Sequence, residues 1–155
     1  MANTQGIANS FKSEVMLGNH QLGSVTITSR TSLTSPTTDT VKAALYFASA
    51  TTNNTNTAYT ATGEATGTGY SAGGVTVTNA TAPSTSSGVG IWTPSASIVY
   101  STVTFAAIDA VMLYNSTQSN KAIGVWTYGS QTITAGNFTL TMPTNDSTHA
   151  LIQLS

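Results

Sequence analysis

Residues 67–74, GTGYSAGG, form the stretch most similar to a nucleotide-binding loop, because clustered glycines let backbone N–H groups approach a phosphate. A P-loop needs Lys-Ser/Thr after its last glycine and then a helix, whereas Val75-Thr76-Val77 follows here and indicates a strand. The dinucleotide fingerprint needs a spacing one residue shorter. We therefore interpret the stretch as a loop whose glycines supply positive φ angles.

The two histidines, His20 and His149, stand apart in the sequence, and no H-E-x-x-H or other metal-ligand spacing surrounds them. We interpret both as polar residues near chain turns. A metal or ion shared between subunits is the alternative.

Five carboxylates are scattered along the chain, and none lies in a recognisable catalytic motif: Glu14, Asp39, Glu64, Asp109 and Asp146. A glycosidase needs two carboxylates facing each other across a cleft, and a serine hydrolase needs a turn such as G-x-S-x-G, which is absent. Asp109 lies within an apolar run, and we predict that the strand begins after it and leaves it at a solvated end. We expect no enzymatic activity, no cofactor and no metal.

The charged fraction is 6%, against about 25% in ordinary soluble domains. Only four Lys and Arg are present, which argues against nucleic-acid binding because phosphate contacts dominate that affinity. There is no cysteine, hence no disulfide framework. No apolar run reaches about 18 residues, and the N-terminus lacks a signal-like apolar core, so we expect neither a membrane span nor a secretory signal.

The chain is organised around residues 105–129, where two apolar runs flank the polar break 116–120. This pattern predicts a β-hairpin. Both faces are apolar: Val111 and Leu113 point one way, and Met112 points the other. An antiparallel sheet with one wet face alternates apolar and polar residues, so the second face needs a cover: another sheet, a helix or another chain.

A helix is predicted for residues 4–17, capped by Asn3 or Thr4 and ended by Gly18. Its apolar stripe consists of Ile7, Phe11 and Val15. We assign residues 1–23 to an N-terminal helix or arm, and 24–155 to one antiparallel β-sandwich, either jelly-roll or immunoglobulin-like.

Short strands alternate with polar turns through the rest of the sandwich. The predicted strands are Val25–Ile27, Thr40–Phe47, Val75–Thr78, Ile98–Tyr100, Phe138–Met142 and Ala150–Leu154. The predicted loops are residues 51–57, 62–74 and 80–90.

Contacts with a partner are predicted at the helix stripe, at two loop tyrosines and on the apolar hairpin. The helix is short, so we expect it to become ordered by docking on a neighbouring chain. The predicted interface residues are Ile7, Phe11, Val15, Tyr59, Tyr70, Met112 and Trp126.

The segments MANTQGIANSFKSE, VKAALYFASAT, YTATGEATGTGYSAGGVTVTNAT, DAVMLYN and NKAIGVWTYG resemble a family of small Thr/Gly-rich virion proteins of tailed bacteriophages. The resemblance extends over nearly the whole chain and brings no catalytic residue. It implies a capsid decoration, or cement, protein on the outside of the head, assembled in the host cytoplasm. The implied partners are the major capsid protein and copies of the chain itself as a homotrimer.

Two other virion roles stay open. In a tail- or fibre-associated receptor-binding module, the loops from Thr51 to Gly74 would form the contact surface. In a neck or tail connector, the chain would form rings of six or twelve.

Overall fold

The computed structural model describes residues 2–16, 18–23 and 37–155, and antiparallel strands build its architecture. The elements in chain order are β1 (Gly6–Ile7), α1 (Asn9–Met16), β2 (Val41–Phe47), β3 (Val75–Thr76), β4 (Ser84–Ser86), β5 (Val89–Trp92), β6 (Ile98–Asn115), β7 (Lys121–Leu140) and β8 (Ile152–Leu154). One sheet has the order β1-β7-β6-β2-β3 and the other β4-β5-β8. The predicted all-β antiparallel sandwich is confirmed. The choice between jelly-roll and immunoglobulin-like topology stays a prediction.

The long hairpin β6–β7 is the centre of the larger sheet, as its sequence predicts. Its turn begins at Asn115, which pairs with Lys121, and the pairing continues to Ile98 and Leu140. The ladder is therefore much longer than the two apolar runs alone suggest. The distal half of β7, residues 131–140, is mostly exposed and polar. It therefore lacks the alternation of apolar and polar residues by which a strand is predicted.

The β6–β7 ribbon bends back on itself. Its pairing contains five register shifts, and Thr102, Ala107 and Ala135 have φ angles of 52°, 52° and 47°. Such bulges bend and twist a strand pair. In a straight strand Ile98 and Val111 would lie about 40 Å apart, yet both line one small cavity of about 110 Å³.

This curling supplies the cover for the second apolar face of the hairpin. Val111, Leu113 and Met112 are all buried within the chain. Tyr100, from the distal half of β6, donates a buried hydrogen bond to the Ala43 carbonyl at 2.8 Å. The cover is thus the chain's own strands, and the hairpin leaves no broad apolar face for another chain.

The N-terminal arm differs from its prediction. The helix begins at Asn9 instead of residue 4, because Gly6 and Ile7 pair with Val125 and Gly124 of β7 as a short strand. Asn3 caps no helix and instead donates to the Phe47 carbonyl at 3.0 Å. Gly18 ends the helix as predicted, with φ 72° and its N–H bonded to the Val15 carbonyl at 3.1 Å. Since β1 belongs to the larger sheet, the arm is part of the sandwich, and the domain boundary placed at residue 24 lies outside the described residues.

Two further sequence predictions differ from the fold, and a third falls on residues that the structure does not describe. Residues 80–90 contain a β4–β5 hairpin instead of a loop, joined by Ser87 and Gly88 with φ of 50° and 82°, which favour a two-residue turn. Asp109 lies inside β6, not before it, at a register shift, and it accepts a hydrogen bond from Asn3. The predicted strand Val25–Ile27 lies outside the described residues.

Within the part of the chain that the structure describes, no helix is both long and apolar enough to cross a membrane.

Candidate functional site

The glycine segment forms a close backbone contact with the edges of β2 and β6. A Cβ atom at Gly67 or Gly69 would overlap the carbonyl oxygen of Thr104 or Thr102, and one at Gly74 would overlap that of Ala43. The Thr104 N–H donates to the Thr68 carbonyl at 2.9 Å. The glycines are therefore needed for backbone packing, in agreement with the loop interpretation.

The carboxylate of Glu64 holds this loop from inside. It is buried, and it accepts hydrogen bonds from the Tyr59 hydroxyl at 2.5 Å, the Tyr70 hydroxyl at 2.7 Å and the Gly73 N–H at 2.6 Å. Charge-assisted bonds of this kind are about twice as strong as neutral ones. Three donors converging on one buried carboxylate fix the path of residues 59–73.

The two phenols stay protonated donors in this cluster. Burial, followed by the hydrogen bond to Glu64, raises the pKa of both Tyr59 and Tyr70 well above the ordinary value. Tyr70 also accepts from the Leu45 N–H at 3.1 Å, which is on the open edge of β2. With three donors on its two oxygens, Glu64 is arranged as a structural link between residues of this loop.

Neighbouring tyrosines extend this arrangement. Tyr114 donates to the Gly73 carbonyl at 2.8 Å, and its ring stacks on Tyr59 with centroids 4.8 Å apart. Tyr46 donates to the Thr60 carbonyl at 2.6 Å. The loop from Tyr59 to Gly74 is therefore a rigid surface feature whose aromatic hydroxyls are turned inward.

A second polar cluster joins the N-terminal arm to the tip of the hairpin. Glu14 accepts from Lys121 at 2.6 Å and pairs with Nε2 of His20 at 2.9 Å. Nδ1 of His20 lies 3.1 Å from the Asn115 amide nitrogen, and that nitrogen also donates to Asp39 at 2.6 Å. The His20 side chain is 0% exposed, so the centre of this chain of contacts is shielded from water, whereas Lys121 at its end is partly exposed.

The hydrogen-bond pattern fixes the tautomer of His20. Asn115 Oδ1 accepts from the backbone N–H groups of Thr117 and Gln118, at 3.1 and 3.2 Å, and its Nδ2 must face the Asp39 carboxylate. The amide therefore cannot be reversed. His20 Nδ1 must accept from Asn115, and Nε2–H donates to Glu14.

Lys121 compensates the charge of Glu14, whereas uncharged donors hold Asp39. Burial raises the pKa of Glu14, but the hydrogen bonds and charge of Lys121 and the bond to His20 outweigh it, so the pKa lies below the ordinary value. Asp39 accepts from the Gln21 N–H at 2.9 Å in addition to Asn115. The cluster fastens α1 and the chain just before β2 to the β6–β7 turn.

The second histidine lies in an exposed turn. Oδ1 of Asp146 accepts from the N–H groups of Thr148 and His149, both at 2.8 Å, and both its carboxylate oxygens lie 2.9 Å from His149 Nδ1. The Thr148 backbone bond, followed by the His149 and Thr148 side chains, lowers the pKa of Asp146. An Asp–His pair supplies two of the three members of a Ser-His-Asp catalytic triad, but no described hydroxyl contacts the other ring nitrogen of His149.

The helix stripe that was predicted to dock on a neighbour instead packs within its own chain. Phe11 is fully buried and lies against the His20 ring, with centroids 4.8 Å apart. Ile7 and Val15 are half-buried against the same core. The prediction that the arm becomes ordered only on a neighbour is therefore wrong for this structure.

The other four predicted interface residues have different environments. Met112 is fully buried, so it lies outside any surface contact. Tyr59 and Tyr70 are half-buried and bonded to Glu64. Trp126 is half-buried and lines both the small apolar cavity and a neighbouring polar cleft. Of these four, Trp126 has the clearest route to an external ligand.

The surface carries very little charge. Three of the five carboxylates, Glu14, Asp39 and Glu64, are buried, and Lys121 is paired with Glu14. Among the described residues, two large apolar side chains are exposed, Val99 at 44% and Leu154 at 39%. The described surface thus carries few charges, such as Asp146 and Lys121, and is dominated by uncharged polar groups.

Across residues 2–16, 18–23 and 37–155, no group of three His, Asp or Glu side chains is placed to hold a metal ion. No family model, curated protein or solved structure matches the chain.

Proposed function

We propose that the chain is a bacteriophage virion structural protein, a capsid decoration protein that binds the head shell as a homotrimer. The observation that carries the proposal is the low charge of the chain, with 6% charged residues, a formal net charge of −1 and three of its five acids buried. Net charge helps to keep proteins apart in solution, and its absence suits many identical copies packed side by side on a lattice.

The exposed edge of β7 is the surface we assign to this contact. β1 pairs only with Gly124 and Val125, so the edge from Thr127 onward has no strand partner among the described residues. This part of β7 carries no charge and no proline, which are two of the features, besides bulges, by which natural proteins block an open edge. The edge therefore supports binding through backbone hydrogen bonds to the capsid protein or to another copy.

The role as a non-enzymatic protein is part of the proposal. The buried carboxylate Glu64 accepts three hydrogen bonds, and Glu14 is paired with Lys121 and His20. These arrangements support rigidity. A rigid scaffold suits a protein that works by reinforcing a shell.

A receptor-binding role through the loops from Thr51 to Gly74 is the second candidate. The rigid presentation of this loop favours it, because binding loops are commonly held by a rigid scaffold. The inward-turned hydroxyls of Tyr59 and Tyr70 leave the exposed small residues, such as Thr66 and Thr68, as the contacts. In this case replacing Thr68 with a bulky residue abolishes adsorption to cells and leaves head stability unchanged.

Shell binding tests the decoration role with a matched pair of variants. Thr134→Lys places a charge on the exposed distal half of β7, and Thr66→Lys places the same charge in the glycine loop beside the opposite side of the sheet. The proposal predicts that the purified protein saturates undecorated heads and raises their melting temperature, and that only Thr134→Lys weakens this binding. Equal binding by both variants would remove β7 from the contact.

A further inference from the structure

We propose that the cleft beside Trp126 is a binding site for a neutral saccharide. The cleft has a volume of about 440 Å³, within the range of about 300–1,000 Å³ typical of small-molecule sites. It lies where β1, the first third of β7 and the C-terminal segment from His149 to Gln153 meet. This inference does not rest on the shell-binding role, because the cleft lies within one chain.

Trp126 supplies the aromatic surface of the cleft. Its ring packs over Gly124, where a Cβ atom would come within 2.8 Å of the indole Cη2 atom. The glycine therefore makes room for the indole and holds it along the strand. The indole N–H donates to no residue that the structure describes, so it is free to bond a ligand hydroxyl.

Pro143 and Leu151 continue the apolar part of the cleft and, with Trp126, also line the small cavity within the sandwich. This shared wall anchors the aromatic ring in the core of the protein. A sugar ring has an apolar face of C–H groups that packs on such a surface, while its hydroxyls point outward.

Three uncharged polar side chains complete the lining. Gln153 donates its amide to the Ala150 carbonyl at 3.2 Å, which orients Oε1 away from that contact. Gln5 makes only long contacts, 3.4 Å, to Thr127, and these use its oxygen. The Gln5 amide N–H groups and the Gln153 oxygen are therefore an available donor and an available acceptor.

His149 adds a ring nitrogen of defined character. Its Nδ1 faces the Asp146 carboxylate at 2.9 Å, so Nδ1 carries a proton. In the neutral ring Nε2 is then an acceptor for a ligand hydroxyl. The cleft thus combines donors and acceptors, as the alternating hydroxyls of a sugar require.

The absence of charge selects the class of saccharide. No Lys, Arg, Asp or Glu is among the described residues that line the cleft. An anionic sugar would lose water without gaining an ion pair. The proposal is therefore limited to neutral sugars, such as hexose units of a surface polysaccharide.

A glycan array of neutral and anionic oligosaccharides tests the proposal with the full chain, followed by titration calorimetry of the best neutral binder. We expect neutral binders. Gln153→Ala or Gln5→Ala then weakens binding about threefold to tenfold, as expected for one hydrogen bond. The control Gln131→Ala, an exposed glutamine of β7 that does not line the cleft, leaves the affinity unchanged.

Trp126→Phe keeps an aromatic ring in the core wall, and its folding is checked by circular dichroism. It weakens sugar binding and removes the ligand-induced change in tryptophan fluorescence, because Trp92 is buried and bonded to Thr81. Three results would overturn the proposal: no binding tighter than about 1 mM to any neutral sugar, binding of anionic sugars alone, or displacement of the bound sugar by a proline-rich peptide that binds the cleft more tightly.

Discussion

The Tyr70 hydroxyl donates a hydrogen bond to the Glu64 carboxylate at 2.7 Å, and the hydroxyl oxygen of Tyr70 accepts one from the N–H of Leu45 at 3.1 Å. One side chain thereby satisfies a buried charge and an unpaired backbone group at the edge of β2. The glycine loop is held by this relay instead of by a full strand, since β3 pairs with only two residues of β2.

Replacing Glu64 with Gln tests how much the hydrogen bonds to its carboxylate stabilise the fold. The amide keeps the size but loses the charge, and its NH₂ group opposes one of three donors: Tyr59, Tyr70 or the Gly73 N–H. We expect the free energy of unfolding to fall by about 1.5–3 kcal/mol, the range for hydrogen bonds to a charged group. Urea denaturation measures this. A change no larger than that of the surface control Gln131→Ala would show that these hydrogen bonds contribute little.

Two glycines with positive φ separate backbone strain from steric overlap. Gly74 has φ 69° and a Cβ there would overlap the Ala43 carbonyl, whereas Gly88 has φ 82° and open space around it. We expect Gly88→Ala to cost about 1–2 kcal/mol through strain alone. Gly74→Ala costs distinctly more, because the backbone must move. Thermal unfolding of the two variants decides, and equal costs would contradict the close contact.

The Lys121–Glu14 pair predicts a pH dependence of stability. The pKa of Glu14 is lowered in the folded chain, so its contribution is present above the ordinary value of 4.5 and is lost as pH falls through the folded pKa. Lys121→Met removes the main partner. Because Lys121 is partly exposed, we expect a loss of only about 1 kcal/mol at pH 7.

The same variant should show a shallower loss of stability than the wild type as pH falls below about 4.5, since part of the lowering disappears. Unfolding free energies measured from pH 7 to 3 test this. Parallel curves for the two proteins would mean that Lys121 does not lower the pKa of Glu14.

Asn115 is tested by the nearly isosteric change Asn115→Asp. The introduced carboxylate would lie against Asp39, where the amide now donates at 2.6 Å. We expect a loss of at least about 2 kcal/mol at pH 7. The like charges raise a carboxyl pKa in the folded state, so stability is regained as pH falls through that raised pKa. A variant that is equally destabilised at pH 5 and pH 7 would contradict this.

Fold class and the central hairpin could be predicted because both depend on local patterns. The alternating and apolar runs on either side of residues 116–120 indicate strands and a turn, and Gly18 ends a helix for a local conformational reason. The two apolar faces were also real. Which of the three possible covers they have could not be predicted, because bending at bulges such as those near Thr102 and Ala135 follows from long-range packing.

The buried polar clusters were not predictable for a related reason. Glu64 lies between glycines and threonines, and nothing local shows that Tyr59 and Tyr70 point to it. Asn115 reads as an ordinary turn residue, although it is 0% exposed and bonds to residues 76 and 95 positions away. The sequence does show an acid, Glu64, between two tyrosines in a glycine-rich loop. This pattern does not distinguish a buried carboxylate that the tyrosines contact from a solvated one.

The most direct test of the decoration role is the number of copies bound per undecorated phage head, counted by electron cryomicroscopy after incubation with the purified protein. We predict saturable binding of hundreds of copies, in groups of three on the outer surface. Heads that stay bare, with the protein a stable monomer in solution, would contradict the account.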